Sequence, residues 1–250
     1  MTGGDGLLRD YSNQARTYDR TRSASPGIVA ALRRALDGAP GRRLLDVGGG
    51  TGNYAAALRD EGWEVVVVDA SAAMLERAAP KGLQTVEADA QDLPFPDGAF
   101  DAVMLVSMLH HVDDRARALR EARRVVRPGG RVAVLVSTHE DIEDMWLIDW
   151  FPSTRRWMEQ SHPRRDDILA ELPGATFELY AYDDLSDLTN SALAGRPELV
   201  LDPELRRQTS YFERLERDHP EELEAGLQRL RTDPPPGKPG TATVMRWTAP

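Results

Sequence analysis

The chain has 250 residues, 41% hydrophobic and 29% charged, which fits one α/β domain carrying an insertion, or at most two small domains. It contains no cysteine, which excludes a disulfide framework, a thiol nucleophile and a cysteine-ligated metal. Its formal net charge of −10, without a clustered basic face, argues against DNA or RNA as the main partner.

Residues 1–40 read as amphipathic N-terminal helices, with Tyr11 and Tyr18 on one face, and are expected to form a lid over a cofactor. The opening segment carries no basic, apolar signal, and no apolar run nears the ~20 residues of a membrane span. We therefore expect a cytoplasmic protein without stable membrane insertion. Ser25-Pro26 marks a helix start, with Ser25 as cap and Pro26 in the first turn.

A regular alternation follows. Arg43–Val47 reads as a strand and Tyr54–Glu61 as a helix; Glu64–Asp69 is a continuously apolar, β-branched buried strand. A helix over Ser71–Ala79, a strand over Leu83–Glu87, a two-proline loop, a strand over Phe100–Val106, a helix over Asp113–Val126 and a strand over Arg131–Val136 complete the run. Such alternation implies βαβ units and a parallel sheet, with a cofactor-binding core over 41–138. Residues 139–175 read as a helical insertion shaping a substrate pocket, with Trp146, Trp150 and Trp157 on one helical face. The remainder, 176–250, reads as the last two strands (Thr176–Tyr182 and Thr241–Thr248) around a helical insertion over 183–232.

The densest motif is Leu44-Leu45-Asp46-Val47-Gly48-Gly49-Gly50-Thr51-Gly52-Asn53: a strand ending near an acid, a glycine-rich turn and a helix start. Alternating glycines let a ligand lie against bare backbone. Two cofactors compete for it. Gly50–Ala55 fits a degenerate dinucleotide fingerprint, and Asp69 follows at about the ~20-residue spacing of a ribose-binding acid. Asp46, Gly48, Gly50 and Gly52 instead fill the D/E-x-G-x-G-x-G loop that binds S-adenosylmethionine. A pyrophosphate is anionic and would be repelled by Asp46, whereas an ammonium and a sulfonium would be drawn to it. Asp69 and Asp89 fall at the ends of the next two strands, where α/β ligands bind, and Met74 can pack on an adenine.

On LLDVGGGTGNY (44–54), VVVVDASAAML (65–75), EADAQDLPFPDGAFDAV (87–103), SMLHHVDD (107–114) and RVVRPGGRVAVLV (124–136), the chain resembles the class I S-adenosylmethionine-dependent methyltransferases. It is most similar to the small-molecule group that includes the ubiquinone/menaquinone C-methyltransferases. The resemblance implies a Rossmann-like, seven-stranded, mostly parallel sheet with helices on both faces, the last strand antiparallel, and helical insertions forming a lid. It implies that Asp46 and the glycines hold the amino acid end of the cofactor, Asp69 the ribose, and Asp89 and Ala90 the adenine; Tyr18, Asn53, Ala70, Met74 and Ser107 complete the candidate cofactor set. The chain departs at Gly49, a position commonly Cys or Ala, where a smaller residue should still permit binding.

Methyl transfer to a small molecule, O- or C-directed and fitting secondary metabolism, is the expected activity. His110 and His111 follow the fourth strand and are candidates for a general base. Tyr11, His139, Trp146 and Trp150 are candidates for the substrate wall. No cluster has convincing metal spacing, so no metal is expected. The alternatives are a protein of this fold that binds the same cofactor without methylating, and a nicotinamide-dependent oxidoreductase.

Overall fold

In the computed structural model, residues 22–143, 145–184, 186 and 188–250 are described, so Tyr11, Tyr18 and residues 1–21 of the expected N-terminal lid lie outside the described residues, while the described part of that segment carries a helix, Pro26–Leu36, packed on the sheet. Strands β1 (Arg43–Val47), β2 (Glu64–Asp69), β3 (Gln84–Glu87), β4 (Phe100–Val106), β5 (Val126–Val136), β6 (Thr176–Ala181) and β7 (Thr241–Thr248) form one sheet in the order β3-β2-β1-β4-β5-β7-β6. All run parallel except β7, which is antiparallel to both β5 and β6. This is the Rossmann-like arrangement expected from the alternation of elements.

The inner strands are apolar on both sides because helices cover both faces. On one face α1 (Pro26–Leu36), α2 (Asn53–Asp60) and α3 (Ala72–Ala78) pack through Leu32, Leu58 and Leu75 against Leu44, Val65 and Val67. On the other, α4 (Arg115–Val125) packs through Leu119 and Ala122 against Leu45, Val68, Val103 and Val134. Local chemistry sets the helix starts. Ser25 accepts from the Ile28 N–H with Pro26 in the first turn, and Asp114 accepts from the Arg117 N–H at 2.9 Å.

Beyond β5 come the short helices α5 (His139–Ile142), α6 (Trp146–Trp150), α7 (Ser153–Ser161) and α8 (Arg165–Glu171). Between β6 and β7 lie α9 (Asn190–Ala194), α10 (Pro203–Arg206), α11 (Ser210–Asp218) and α12 (Pro220–Thr232). Most of the two insertions shares a third apolar core, including Ile148, Phe151, Met158, Phe212, Leu215 and Leu227. Helix α8 leaves that core and covers the sheet beside α4 through Ile168. The single helical face expected for Trp146, Trp150 and Trp157 is broken, because the residue before a proline is disfavoured in the helical region. Phe151 turns out at φ −129°, and Pro152 starts a new direction that carries Trp157 in α7.

One buried carboxylate pins this insertion to the sheet. Asp141 Oδ2 accepts from the Thr138 N–H and Oγ1 and from Thr243 Oγ1, at 2.8–2.9 Å, while Oδ1 accepts from Thr241 Oγ1 at 2.9 Å. The start of α5 is thereby held to β7. Among the described residues, no helix is long and apolar enough to cross a membrane.

Gly226 in α12 lies where an added Cβ would run into the ring of Phe151, which is fully buried and packed edge-on to Phe212 at 5.5 Å. In a helix, Gly→Ala ordinarily gains about 1 kcal/mol. Overpacking a ring that cannot move costs about 1–3 kcal/mol. We expect Gly226→Ala to lower the melting temperature; a rise would show that the insertion core is loosely packed.

Candidate functional site

The chain leaves β3 and crosses back past β1 to β4, so β1 marks the point where strand order reverses, and ligands of open α/β sheets bind outside the strand ends there. A cavity of about 470 Å³ opens at this place. The loops after β1, β2, β3 and β4 form its walls.

The turn after β1 is built by backbone hydrogen bonds. The N–H groups of Gly48 and Gly49 both donate to the Val68 carbonyl at 2.7 and 3.1 Å, and the Gly52 N–H donates to the Gly49 carbonyl at 2.9 Å. Gly50 has φ +56° and nothing within 4 Å of the place a Cβ would take, so its bare face looks onto the cavity. Gly49 is different: a Cβ there would meet Asp46 Oδ2 at 2.5 Å and Val67 at 2.8 Å. The carboxylate of Asp46 occupies the space that a larger residue would fill.

Asp46 is 2% exposed, and its Oδ1 has no hydrogen-bond partner among the described residues. Burial, reinforced by the charge of Asp69, pushes its carboxyl up to about 8. Asp69 accepts the Gly50 N–H on Oδ2 and the Ser71 N–H on Oδ1, both at 2.9 Å. Its burial raises it from the ordinary carboxylate range, and those two N–H groups pull it back. It thus ties the glycine turn to the start of α3, where Ser71 sits at the N-cap without a side-chain cap bond.

Of the sequence-derived candidates, Asp46, Gly48, Gly50, Asn53, Asp69, Ala70 and Met74 line the cavity, as do Asp89, Ala90, Ser107 and His111. Ser107 holds φ +51°, a strained value for a side-chain-bearing residue, and its N–H donates to the Leu135 carbonyl at 2.8 Å. Asp89 is engaged by Gln91, whose backbone N–H and side-chain amide donate to it at 2.8 and 3.1 Å. Asn53 is oriented from two sides: Lys81 Nζ donates to its Oδ1, and its Nδ2 donates to the Arg22 carbonyl, each at 2.5 Å.

Other candidates fall elsewhere. Gly52 supports the turn from behind, its missing Cβ leaving room for Leu83. His110 is absent from the cavity wall, and its ring stacks on His162 at 5.1 Å. His139 lies at a small cleft beside Met158, with Nε2 on the Glu159 carbonyl. Trp146 and Trp150 belong to the insertion core: Trp146 Nε1 donates to the Ala194 carbonyl at 2.8 Å, and Arg229 lies 4.1 Å over the Trp150 ring. An aromatic wall for the cavity is therefore not what these two tryptophans provide. Reading the sequence missed Arg22, Ser23, Tyr54, Gln91, Met108 and Asp113 on the wall. Tyr54, Met108 and Asp113 lie inside the matched motifs 44–54 and 107–114, and Gln91 stands two residues past an acid at a strand end, the spacing of an Asx turn.

The residues present fit a cationic ligand. A buried carboxyl with an unpartnered oxygen, a second carboxylate close enough to raise it, and bare backbone at Gly50 would repel a phosphate and receive an ammonium. No group of three or more His or acidic side chains that could hold a metal occurs among the described residues.

In its comparison with known families, residues 45–134 match the model described as a methyltransferase domain. The chain is 42% identical over 132 residues to the demethylmenaquinone methyltransferase of Beutenbergia cavernae, covering 50% of this chain and 55% of that protein. It is 30% identical over 177 residues to the ubiquinone/menaquinone biosynthesis C-methyltransferase UbiE of Coxiella burnetii, covering 58% of this chain and 70% of that one. A solved structure from Anabaena variabilis, assigned as a methyltransferase of an antibiotic biosynthesis pathway, superposes with a TM-score of 0.74 at 26% identity, over 91% of this chain and 99% of that one. The chain spans little more than half the length of the Beutenbergia cavernae relative, 55%.

The raised carboxyl of Asp46 has a stability signature. In the folded protein it keeps its proton at pH values where the unfolded chain, near 4, has lost it. Its contribution is therefore full below about pH 4 and is lost as pH rises toward 8. Asp46→Asn cannot ionise. We expect its melting temperature, relative to the parent protein, to climb between about pH 5 and pH 9; parallel melting across that range would contradict the burial described for Asp46.

Proposed function

The chain belongs to the class I S-adenosylmethionine-dependent methyltransferases, and on that premise we propose that it transfers a methyl group to a small-molecule acceptor, O- or C-directed. The observation that carries the proposal is the pair of carboxyl groups at the strand ends, Asp46 and Asp69, facing bare backbone at Gly50. When bound, S-adenosylmethionine supplies an electrophilic methyl on a sulfonium whose departure leaves a neutral thioether.

The chain's own residues do the rest. Asp46 would hold the ammonium of the amino acid end, and Asp69 would take the ribose hydroxyls on the lone pairs left by the Gly50 and Ser71 N–H groups. Met74, 4% exposed, would pack on the adenine, and Asp89, Ala90 and Gln91, on the same wall, would serve its polar groups. In-line displacement from a good leaving group draws most of its acceleration from alignment and exclusion of water. A base is needed only where the acceptor must lose a proton. Of the two adjacent histidines only His111 lines the cavity, so His111 takes that proton on a ring nitrogen. The net charge of −10 favours a small acceptor over a nucleic acid.

Calorimetry with S-adenosylhomocysteine and with NAD tests this. Micromolar binding of the thioether with none of NAD is expected, and tight NAD binding alone would overturn it. Asp69→Ala, in a sample that still melts cooperatively, should lose ~2–4 kcal/mol of that affinity because two ligand hydroxyls go unpaired. Unchanged affinity would remove Asp69 from the site. Product mass then separates methyl transfer, a gain of one methylene on the acceptor, from turnover with the cofactor intact.

A further inference from the structure

His111 reaches the cavity from a single 3-10 turn, Leu109–His111, between β4 and α4. Leu109 anchors that turn in the core beneath the sheet face. Two residues from outside it, His162 and Arg115, bear on its side chains and backbone. The His110 ring lies 3.8 Å, centroid to centroid, from that of His111, tilted by 51°. His162, in the turn after α7, lies flat on His110 at 5.1 Å and 5°. The Nδ1 of His162 donates to the Met158 carbonyl at 3.0 Å, which fixes the ring's tautomer and its plane.

The second link is Arg115. Its Nε donates to the Leu109 carbonyl at 3.0 Å, and its Nη2 to the carbonyls of Ser161 and Gln160 at 2.8 and 3.2 Å. One guanidinium thus joins the turn carrying His110 and His111 to the turn carrying His162. Arg115 is also the first residue of α4, where the helix dipole disfavours a cation. Three backbone carbonyls, one from the first turn and two from the second, account for its being there.

We propose that His162 and Arg115 are positioning residues for His111, acting through the ring of His110, so that the helical insertion after β5 sets the geometry of the proton-accepting group in the cavity. This rests on the reading of the cavity as the methyl-donor site. Its consequence is that the insertion influences chemistry through His111 without lining the cavity. Burial keeps His162 down at about 4, with the Met158 carbonyl opposing that shift. The charges of Arg115 and His139 act with burial, and Asp141 against it. His162 is neutral at pH 7, and the stack holds without repulsion on that side. The acids facing Arg115 are Asp167 and Asp113, the latter also on the cavity wall.

The test is histidine-ring NMR on the full chain, which has five histidines, with His111 assigned by its loss in His111→Gln. His162→Ala should move the His111 ring signal and change its proton affinity about threefold or more, half a pH unit. His162→Phe, which keeps a flat ring, should restore both to within about twofold of the parent protein. Arg115→Lys keeps the charge but cannot span both turns, and should move the same signal. A His111 signal and titration unchanged in His162→Ala, or in Arg115→Lys should the alanine variant fail to fold, would overturn the proposal. S-adenosylhomocysteine is added to the same samples. If the parent protein does not bind it, the donor-site reading fails whatever the stack does; if it binds and both variants are silent, only the positioning role fails.

Discussion

Asp46 and Asp69 stand at the ends of adjacent parallel strands, on the wall of one cavity. Asp46 is buried with an unpartnered oxygen, a condition that costs free energy unless a proton or a positive ligand relieves it. Much of the surrounding structure answers to that constraint. Gly49 must lack a side chain because Asp46 fills its place. The Gly48 and Gly49 N–H groups point back to Val68, which shapes the turn around the carboxyl. Asp69 keeps its own charge tolerable by accepting two backbone N–H groups, and in doing so it fixes the position of Gly50. At neutral pH a proton relieves that cost in the free protein, and a cationic ligand that binds beside the carboxyl takes over from the proton, which leaves.

The insertions follow a different logic. They have a core of their own, built from elements that come from two separate stretches of chain. They meet the sheet through apolar contacts of Ile168 and Ala192 and through specific polar ties: Asp141 on the threonines of β7, and Arg115 on carbonyls of both turns. An insertion with its own core can vary without disturbing the cofactor end of the sheet, and a few polar ties are enough to relay its position inward. This division suits a fold in which one ligand is constant and the other changes.

The sheet was legible in the sequence because its signals are local. Val65–Val68 is a continuous β-branched run, and Thr241–Thr248 alternates between linker and chain end; both are strands in the structure. The residues brought to the cavity were largely legible for the same reason, since acids and glycines at strand ends all open on one edge. What escaped was non-local or directional. Spacing put Trp146, Trp150 and Trp157 on one face, but Pro152 breaks the helix between them and their partners are Ala194, Arg229 and Tyr211, far along the chain. Two adjacent histidines looked equivalent, yet in a three-residue turn one faces the cavity and the other His162. Gly52 matched the motif and serves the turn by leaving room for Leu83.

A buried carboxyl held for a cation must give up its proton when the cation arrives. Calorimetric titration of S-adenosylhomocysteine at pH 7, repeated in buffers of different ionisation enthalpy, measures that release directly. With the carboxyl at about 8 in the free protein, the arriving ammonium should drive out close to one proton, roughly 0.9 per site. Asp46→Asn should release none. Binding without net proton release by the parent protein, or with uptake, would contradict the account.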